Sequence, residues 1–296
     1  MQAIIESDFS TLGAHWIRAC ECRGLRPKTL AIYRQTIDLV RKYDLSRHGL
    51  EMFFLDLHEK GSGSKGKPNN STTLSLYYRT LRIFFRWAVE NGYLDSNLLK
   101  GIPEPRARNR IDAVLTEKEE QLCLNAITKH REDTRDRAIL LLMIVTGIRP
   151  GELIGIEIKD VDLNLSQVTV FGKSQQFRTV PFTIKARKAL ISYLRKRKST
   201  FRETHLFIGH RGEPLTVHTL QLLFRRISKE TGIKRLVPYL LRHTFATRSL
   251  QDGASLEYVR RMLGHTTFAV TQRYSHMLVE DLAREQNRHP IDRNLK

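Results

Sequence analysis

The chain has 296 residues, of which 41% are hydrophobic and 8% aromatic, enough to build folded cores and to exclude a disordered chain. At about 100–200 residues per domain, this length predicts two domains. Residues 1–112 carry 18 basic and 12 acidic side chains, residues 113–296 carry 32 and 19, and the formal net charge is +19. Basic charge on both halves favours nucleic acid bound along the whole protein, although charge alone leaves a ribosome-associated or merely basic soluble protein open.

Membrane insertion and export are not expected. The longest apolar run, residues 138–145, is far shorter than the ~18 residues that a membrane span needs. The N-terminus lacks a basic region followed by an apolar stretch. Cys20, Cys22 and Cys123 form neither a disulfide framework nor a zinc site by their spacing. We therefore expect a protein of the reducing cytoplasm without a membrane partner.

Residues 1–103 are predicted to form a small helical domain. Apolar residues recur at helical spacing after Thr29, which can cap the start of that helix. A long amphipathic helix is predicted from Ser71 or Thr72 to Asn91, after a loop rich in glycine and serine.

Residues 104–112 are predicted to be a basic linker, because two prolines and three arginines stand among few apolar residues there. The three arginines, Arg106, Arg108 and Arg110, are candidates for contacts with phosphates.

Residues 113–284 are predicted to form a larger domain, followed by a tail at residues 285–296. Thr116 and Glu119 have the spacing of a helix capping box. Two apolar runs within residues 168–182 flank a polar tip, which predicts a β-hairpin. The fold class we expect is mostly α with a small β-sheet or hairpin, in two domains.

The sequence lacks the common metal and nucleotide motifs. It has no His-Glu-x-x-His, no paired Cys-x-x-Cys, no compact carboxylate cluster and no Gly-rich Walker loop. We expect neither a metal nor a cofactor. If the protein performs phosphoryl chemistry on nucleic acid, its side chains must supply both the positive charge and the nucleophile.

Four segments of the second half contain residues of these kinds. They are Thr-Gly-Ile-Arg-Pro-Gly-Glu-Leu from Thr146, Gly-Lys-Ser-Gln-Gln-Phe-Arg-Thr-Val-Pro from Gly172, Pro-Tyr-Leu-Leu-Arg-His-Thr from Pro238, and Leu-Gly-His from Leu263 with Arg-Tyr-Ser-His from Arg273. Their order and spacing resemble the tyrosine recombinase (phage integrase) family over about residues 113–280. Each motif alone is weak, whereas four in order are specific.

The resemblance implies a role for each matched residue. Tyr274 would attack a DNA phosphate to give a 3′-phosphotyrosyl bond and a free 5′-hydroxyl. Arg149 and Arg242 would bind the non-bridging oxygens, as paired guanidinium donors match phosphate geometry. Lys173 would protonate the leaving 5′-oxygen, and His265 would hydrogen-bond the phosphate or assist the tyrosine proton.

One position departs from the family pattern. The family usually has a histidine three residues before the second arginine, where this chain has Tyr239. A phenol can donate to a phosphate oxygen but is a poor proton shuttle at pH 7. We expect Tyr239 to replace the hydrogen bond, with cleavage somewhat slowed. Glu152 is expected to orient an arginine rather than to react.

The resemblance also implies an architecture and partners. The two domains would form a C-shaped clamp on double-stranded DNA with paired inverted half-sites. Four protomers on synapsed DNA would exchange strands through a Holliday junction, without ATP or metal, and accessory proteins could assist. The loop at residues 61–70 and Tyr239 favour the integrase or resolvase of a mobile element over a Xer-type resolvase of chromosome or plasmid dimers.

Base-reading residues are expected on the helix at residues 71–86, with Thr72, Thr73 and Arg79 as candidates. Two alternative functions remain at this stage: a type IB topoisomerase, which shares the chemistry but relaxes DNA as a monomer, and a catalytically weak DNA-binding regulator of the same fold.

Overall fold

The computed structural model describes residues 6–59, 71–105, 114–127, 133–172, 176–198 and 203–267. Contacts divide the chain into two compact units, Met1–Ile111 and Asp112–Lys296. The described residues are mostly helical, with one small sheet in the second unit. The predicted fold class is therefore confirmed.

The first unit consists of four described helices: α1 (Glu6–Cys22), α2 (Pro27–Val40), α3 (Arg47–Glu59) and α4 (Ser71–Glu90). Helix α4 has the predicted start, and Gly92 follows its end with a φ of +73°. The prediction that Thr29 caps α2 is wrong. Pro27, whose ring presets a helical φ, occupies the first turn, and the extended Arg26 is the N-cap residue.

The core of the first unit is aromatic. The indole of Trp16 stacks on Tyr33 at a centroid distance of 4.7 Å and meets the edge of Phe84 at 5.2 Å. Leu81 and Phe85 of α4 are completely buried. The apolar face of α4 therefore packs inward, and its arginines lie on the solvent face.

The second unit contains a short 3-10 helix, Ile158–Asp160, and seven described α-helices: α5 (Glu117–Ile127), α6 (Asp133–Thr146), α7 (Pro150–Ile154), α8 (Ile184–Lys196), α9 (Val217–Thr231), α10 (Pro238–Gln251) and α11 (Leu256–Leu263). The predicted capping box precedes α5. The Thr116 amide donates to Glu119 Oε2 at 2.9 Å, and the Glu119 amide donates to Thr116 Oγ1 at 3.2 Å.

The sheet has three antiparallel strands in the order β1 (Val161–Asp162), β2 (Gln167–Phe171) and β3 (Phe177–Pro181). Strands β2 and β3 confirm the predicted hairpin. Strand β1 was not predicted, because two residues are too few for a period-2 pattern.

Helix α6 is the centre of the second core. Its residues Ile139, Leu140, Leu142 and Met143 are completely buried, and the helix packs against α8 and α10. The burial of this part of α6 matches the unbroken apolar run at residues 138–145. Among the described helices, none combines the length and the apolar character needed to cross a lipid bilayer.

Candidate active site

Arg149 lies at the junction between α6 and α7. Its backbone is extended, with φ −74° and ψ 151°, and Pro150 begins α7 directly after it. The Arg149 amide donates to Glu152 Oε2 at 2.8 Å, and its Nη1 donates to Glu152 Oε1 at 2.7 Å. This local box fixes the guanidinium while leaving 24% of the side chain exposed to solvent.

Gly147 makes this junction compact. Its φ of +61° lies in the left-handed region, which favours glycine. A Cβ at this position would fall 2.7 Å from both Leu263 Cδ2 and Phe245 Cδ1. The missing side chain therefore lets the end of α6 approach α10 and α11.

Arg242 is held in the interior by backbone carbonyl groups. It lies on α10 with only 5% exposure. Its Nη1 donates to the Gly147 carbonyl at 2.7 Å, and its Nη2 donates to the Leu263 carbonyl at 2.8 Å. These two backbone carbonyl groups hold the guanidinium in place in a site of low dielectric.

His265 contacts the same guanidinium. Its Nε2 lies 2.8 Å from Arg242 Nη2, and the residue is 7% exposed. Because a guanidinium only donates, Nε2 accepts in this contact, which assigns the ring proton to Nδ1. The His265 amide also donates to the Arg260 carbonyl at the end of α11, at 3.1 Å.

Glu152 joins two arginines. Its side chain is 3% exposed, and it also accepts from Arg178 of β3, with Nη1 to Oε1 at 2.9 Å and Nη2 to Oε2 at 2.8 Å. Burial acts to raise the pKa of Glu152, but the hydrogen bonds and charge of Arg178 and Arg149 outweigh it and lower that pKa below its usual value. The carboxylate is thus charged at neutral pH.

Arg178 was missed as a site residue by the sequence reasoning. The signal was its position in β3, where it lies opposite Val170 and shares a face with the buried Val180. A charged residue on the buried face of a strand requires a partner. That partner, Glu152, is 26 residues earlier in the chain.

Tyr239 lies on the first turn of α10, three residues before Arg242. Its side chain is not packed away, since the residue is 62% exposed. The site residues that the structure brings together are therefore Arg149, Arg242 and His265, with Tyr239 at the solvent edge of the same helix as Arg242.

Five predicted residues lie outside the described part of the chain: Lys173, Tyr274, Arg106, Arg108 and Arg110. Among the described residues, no group of three His, Cys, Asp or Glu side chains is arranged to hold a metal ion.

The three remaining DNA-binding candidates lie on α4. Thr72 is exposed and Thr73 is half-buried. The exposed Arg79 donates from Nε to Glu104 Oε1 at 2.7 Å, and Arg82 donates from Nη1 to Glu104 Oε2 at 3.3 Å. The hydrogen bond from Arg79 lowers the pKa of Glu104. The two arginines are therefore available to a phosphate only in competition with this carboxylate.

Comparisons with known proteins bear on the whole chain. The model of the phage integrase family matches residues 113–280. Tyrosine recombinase XerC of Corynebacterium glutamicum is 34% identical over 222 residues, covering 74% of this chain and 72% of that protein. Tyrosine recombinase XerC of Roseiflexus castenholzii is 29% identical over 289 residues, covering 92% of this chain and 90% of that protein.

A solved structure extends the likeness to both units. The Tn1549 transposon integrase, solved in complex with a circular intermediate DNA, has a TM-score of 0.80 and 19% identity over 95% of this chain and 99% of that one. The match to the family model and the identity to the XerC relatives together establish the family of this chain. The chain belongs to the phage integrase family of tyrosine recombinases, enzymes that cut and rejoin DNA.

Proposed function

We propose that this recombinase cuts and rejoins DNA through Tyr274. The phenol oxygen bonds to the phosphorus as the bond to the 5′-oxygen breaks, which gives a 3′-phosphotyrosyl ester and a free 5′-hydroxyl. Lys173 supplies the proton to the leaving 5′-oxygen, and the reverse reaction religates the strand without an external energy source. The assignment rests on the position of both residues in the family motifs.

Arg149 and Arg242 bind the non-bridging oxygens of that phosphate. The observation that carries this role is their convergence on the end of α11, where Leu263 O accepts from Arg242 and Gly264 O accepts from Arg149. Because both guanidiniums are positioned before DNA arrives, they stabilise the growing charge without reorganisation. Each such donor is worth about 3–4 kcal/mol of transition-state stabilisation.

His265 and Tyr239 complete the phosphate site. His265 binds a phosphate oxygen or assists removal of the Tyr274 proton, and the Tyr239 hydroxyl donates a hydrogen bond to the phosphate where the family has histidine. The support for Tyr239 is its 62% exposure at the start of α10, which leaves it accessible to a DNA strand.

DNA is held by charge over both units. The net charge of +19 and the arginines of α4 support this proposal, with Thr72, Thr73 and Arg79 facing bases and Arg106, Arg108 and Arg110 facing phosphates. If about 6–10 phosphates are neutralised per protomer, affinity falls by orders of magnitude between low and moderate salt.

The proposed assembly is a homotetramer on two synapsed sites with inverted half-sites. It exchanges DNA strands two at a time through a Holliday junction. We place this reaction in the cytoplasm. We infer integration, excision or resolution of a mobile element, a role supported by the likeness to the Tn1549 transposon integrase. The XerC relatives make resolution of DNA dimers the second candidate.

A nicked suicide substrate tests the chemistry. DNA nicked beside the scissile phosphate loses the 5′-hydroxyl fragment, so wild-type protein accumulates as a covalent complex, whereas Tyr274→Phe forms none. A plasmid with two sites, compared with a plasmid with one, then reports recombination. Absence of trapping by wild type favours a regulator. Trapping with relaxation of the plasmid but without recombination favours a topoisomerase.

A further inference from the structure

Four consecutive carbonyl groups at the end of α11 each accept a hydrogen bond from a different arginine. Three of these arginines come from other parts of the second unit, and Arg260 belongs to α11 itself. The pairs are Met262 O with Arg178 Nε at 3.0 Å, Leu263 O with Arg242 Nη2 at 2.8 Å, Gly264 O with Arg149 Nη2 at 3.4 Å, and His265 O with Arg260 Nη1 at 3.0 Å. We name residues 262–265 the carbonyl ladder.

The position of the carbonyl ladder has a physical reason. The last carbonyl groups of a helix have no partner within the helix and carry the negative end of its dipole. Guanidinium groups are therefore favoured there, although they repel one another. Two carboxylates offset that repulsion, Glu152 between Arg149 and Arg178, and Glu257 on Arg260 at 2.7 and 2.8 Å.

Arg178 joins the carbonyl ladder to Glu152 through all three of its guanidinium nitrogens. Its Nε bonds the carbonyl ladder, and its two Nη atoms bond both oxygens of Glu152. Its side chain is only 15% exposed. A Cβ on Gly264 would lie 2.7 Å from Arg178 Nη1, and Gly264 has a φ of +63°. A glycine in the ladder thus makes room for this guanidinium.

We propose that Arg178 is a positioning residue for DNA cleavage, which sets the distance between the Arg149 and Arg242 guanidiniums by holding Glu152 against the carbonyl ladder. Arg178 acts on Arg149 through Glu152 and on Arg242 through residues 262–263. It does not touch the phosphate. The inference rests on the proposed function, because it assigns Arg149 and Arg242 to the phosphate.

The charge of Glu152 offers a specific readout. Among the described residues, the charged groups that act on Glu152 are Arg178 of β3 and Arg149 before α7. Arg242 of α10 and His265 of the carbonyl ladder are bonded to each other instead. Arg178 lowers the pKa of Glu152 both by its hydrogen bonds and by its charge, so without Arg178 that pKa rises. Protonated Glu152 accepts less well from Arg149, so cleavage weakens as the pH falls towards that raised pKa.

The experiment measures the rate of covalent complex formation on the nicked substrate at saturating protein, from pH 5 to pH 8. The variants are Arg178→Met, Arg178→Lys and the double variant Glu152→Gln with Arg178→Met. Arg226→Met is the matched control, because Arg226 bonds the fully buried Asp136 at 2.5 Å in the same unit. DNA affinity and thermal unfolding are measured for each variant.

We expect Arg178→Met to react about 100-fold more slowly, since a small misplacement of binding groups costs this much. The rate of Arg178→Met, relative to wild type, falls further as the pH is lowered towards 5. The double variant, which has no titratable group at position 152, lacks this additional fall. Arg178→Lys keeps the charge but not the two-point geometry, so it is slow without the acid-side fall. Arg226→Met loses stability and keeps the wild-type pH profile.

The proposal is overturned if Arg178→Met, folded and bound to DNA, cleaves at the wild-type rate, or if it is slow with the same pH profile as wild type. It is also overturned if Arg226→Met gives the same acid-side fall. Failure of wild type to form a Tyr274-dependent complex would instead reject the proposed function, so the two failures are distinguishable.

Discussion

Nη2 of Arg242 lies 2.8 Å from Nε2 of His265, and both residues are more than 90% buried. The pair is 23 residues apart in sequence and is closed by the carbonyl groups of Gly147 and Leu263. A cation held in this way before DNA binds needs little reorganisation when a phosphate arrives.

Replacement of Arg242 with lysine should slow cleavage about 100- to 1,000-fold, because a single ammonium cannot replace the paired guanidinium donors at the phosphate. The measurement is covalent trapping on the nicked substrate. Arg248→Lys is the matched control. Arg248 lies on the same helix and bonds Glu120 at 2.6 Å and the Leu115 carbonyl, away from Arg149 and His265. Equal losses in both variants would contradict a phosphate role for Arg242.

Substitution of Gly147 by alanine should destabilise the second unit by roughly 2–4 kcal/mol, from the positive φ together with the collision with Phe245 and Leu263. Gly232→Ala is the control, since Gly232 has a φ of +74° with nothing within 4 Å of its added Cβ, and should lose only about 1 kcal/mol. Thermal unfolding compares the two. Equal shifts would show that the close approach at Gly147 contributes nothing.

Removal of the Glu104 charge should strengthen DNA binding. Glu104→Gln releases Arg79 and Arg82 from a competing carboxylate, so we expect roughly two- to fivefold tighter binding at low salt and a smaller gain at high salt. Because the pKa of Glu104 is below its usual value, the competing charge is present across the neutral pH range.

Glu90→Gln changes the net charge equally and serves as the control for Glu104→Gln. Glu90 lies on α4, the helix of Arg79 and Arg82, and pairs with Arg86 at 3.7 Å. Fluorescence anisotropy with labelled DNA measures both variants. The same gain from both would indicate a general charge effect and not competition for Arg79 and Arg82.

Tyr239 should tolerate histidine. With 62% exposure, its replacement should change the free energy of unfolding by less than about 0.5 kcal/mol. Tyr239→Phe removes the donor and should slow cleavage about tenfold, whereas Tyr239→His should match or exceed the wild-type rate near pH 6.5. Tyr258→Phe, at 43% exposure, is the control. A Phe variant as fast as wild type would remove Tyr239 from the chemistry.

Local features were predictable from the sequence. The extent of α4 follows from its apolar spacing and its glycine stop, and the box before α5 follows from the spacing of Thr116 and Glu119. The start of α2 differs from the prediction because Pro27 presets a helical φ at the first turn, so the helix begins before the favourable capping residue Thr29.

The arrangement of the site was not predictable in this way. Arg149 meets Gly264 across 115 residues, and Arg242 meets Gly147 across 95. Periodicity and turn signals describe only neighbouring residues, so they say nothing about such contacts. The family resemblance named Arg149, Arg242 and His265, but the carbonyl ladder and Arg178 emerge only from the packing of α11 against three other elements.

The residue that becomes joined to DNA can be identified directly. Wild-type protein trapped on the nicked substrate is digested with a protease and nuclease, and the nucleotide-linked peptide is sequenced by mass spectrometry. If Tyr274 is the nucleophile, we expect a single modified residue, Tyr274, linked to a 3′-phosphate. A nucleotide on any other side chain, or a trapped complex that persists in Tyr274→Phe, would contradict it.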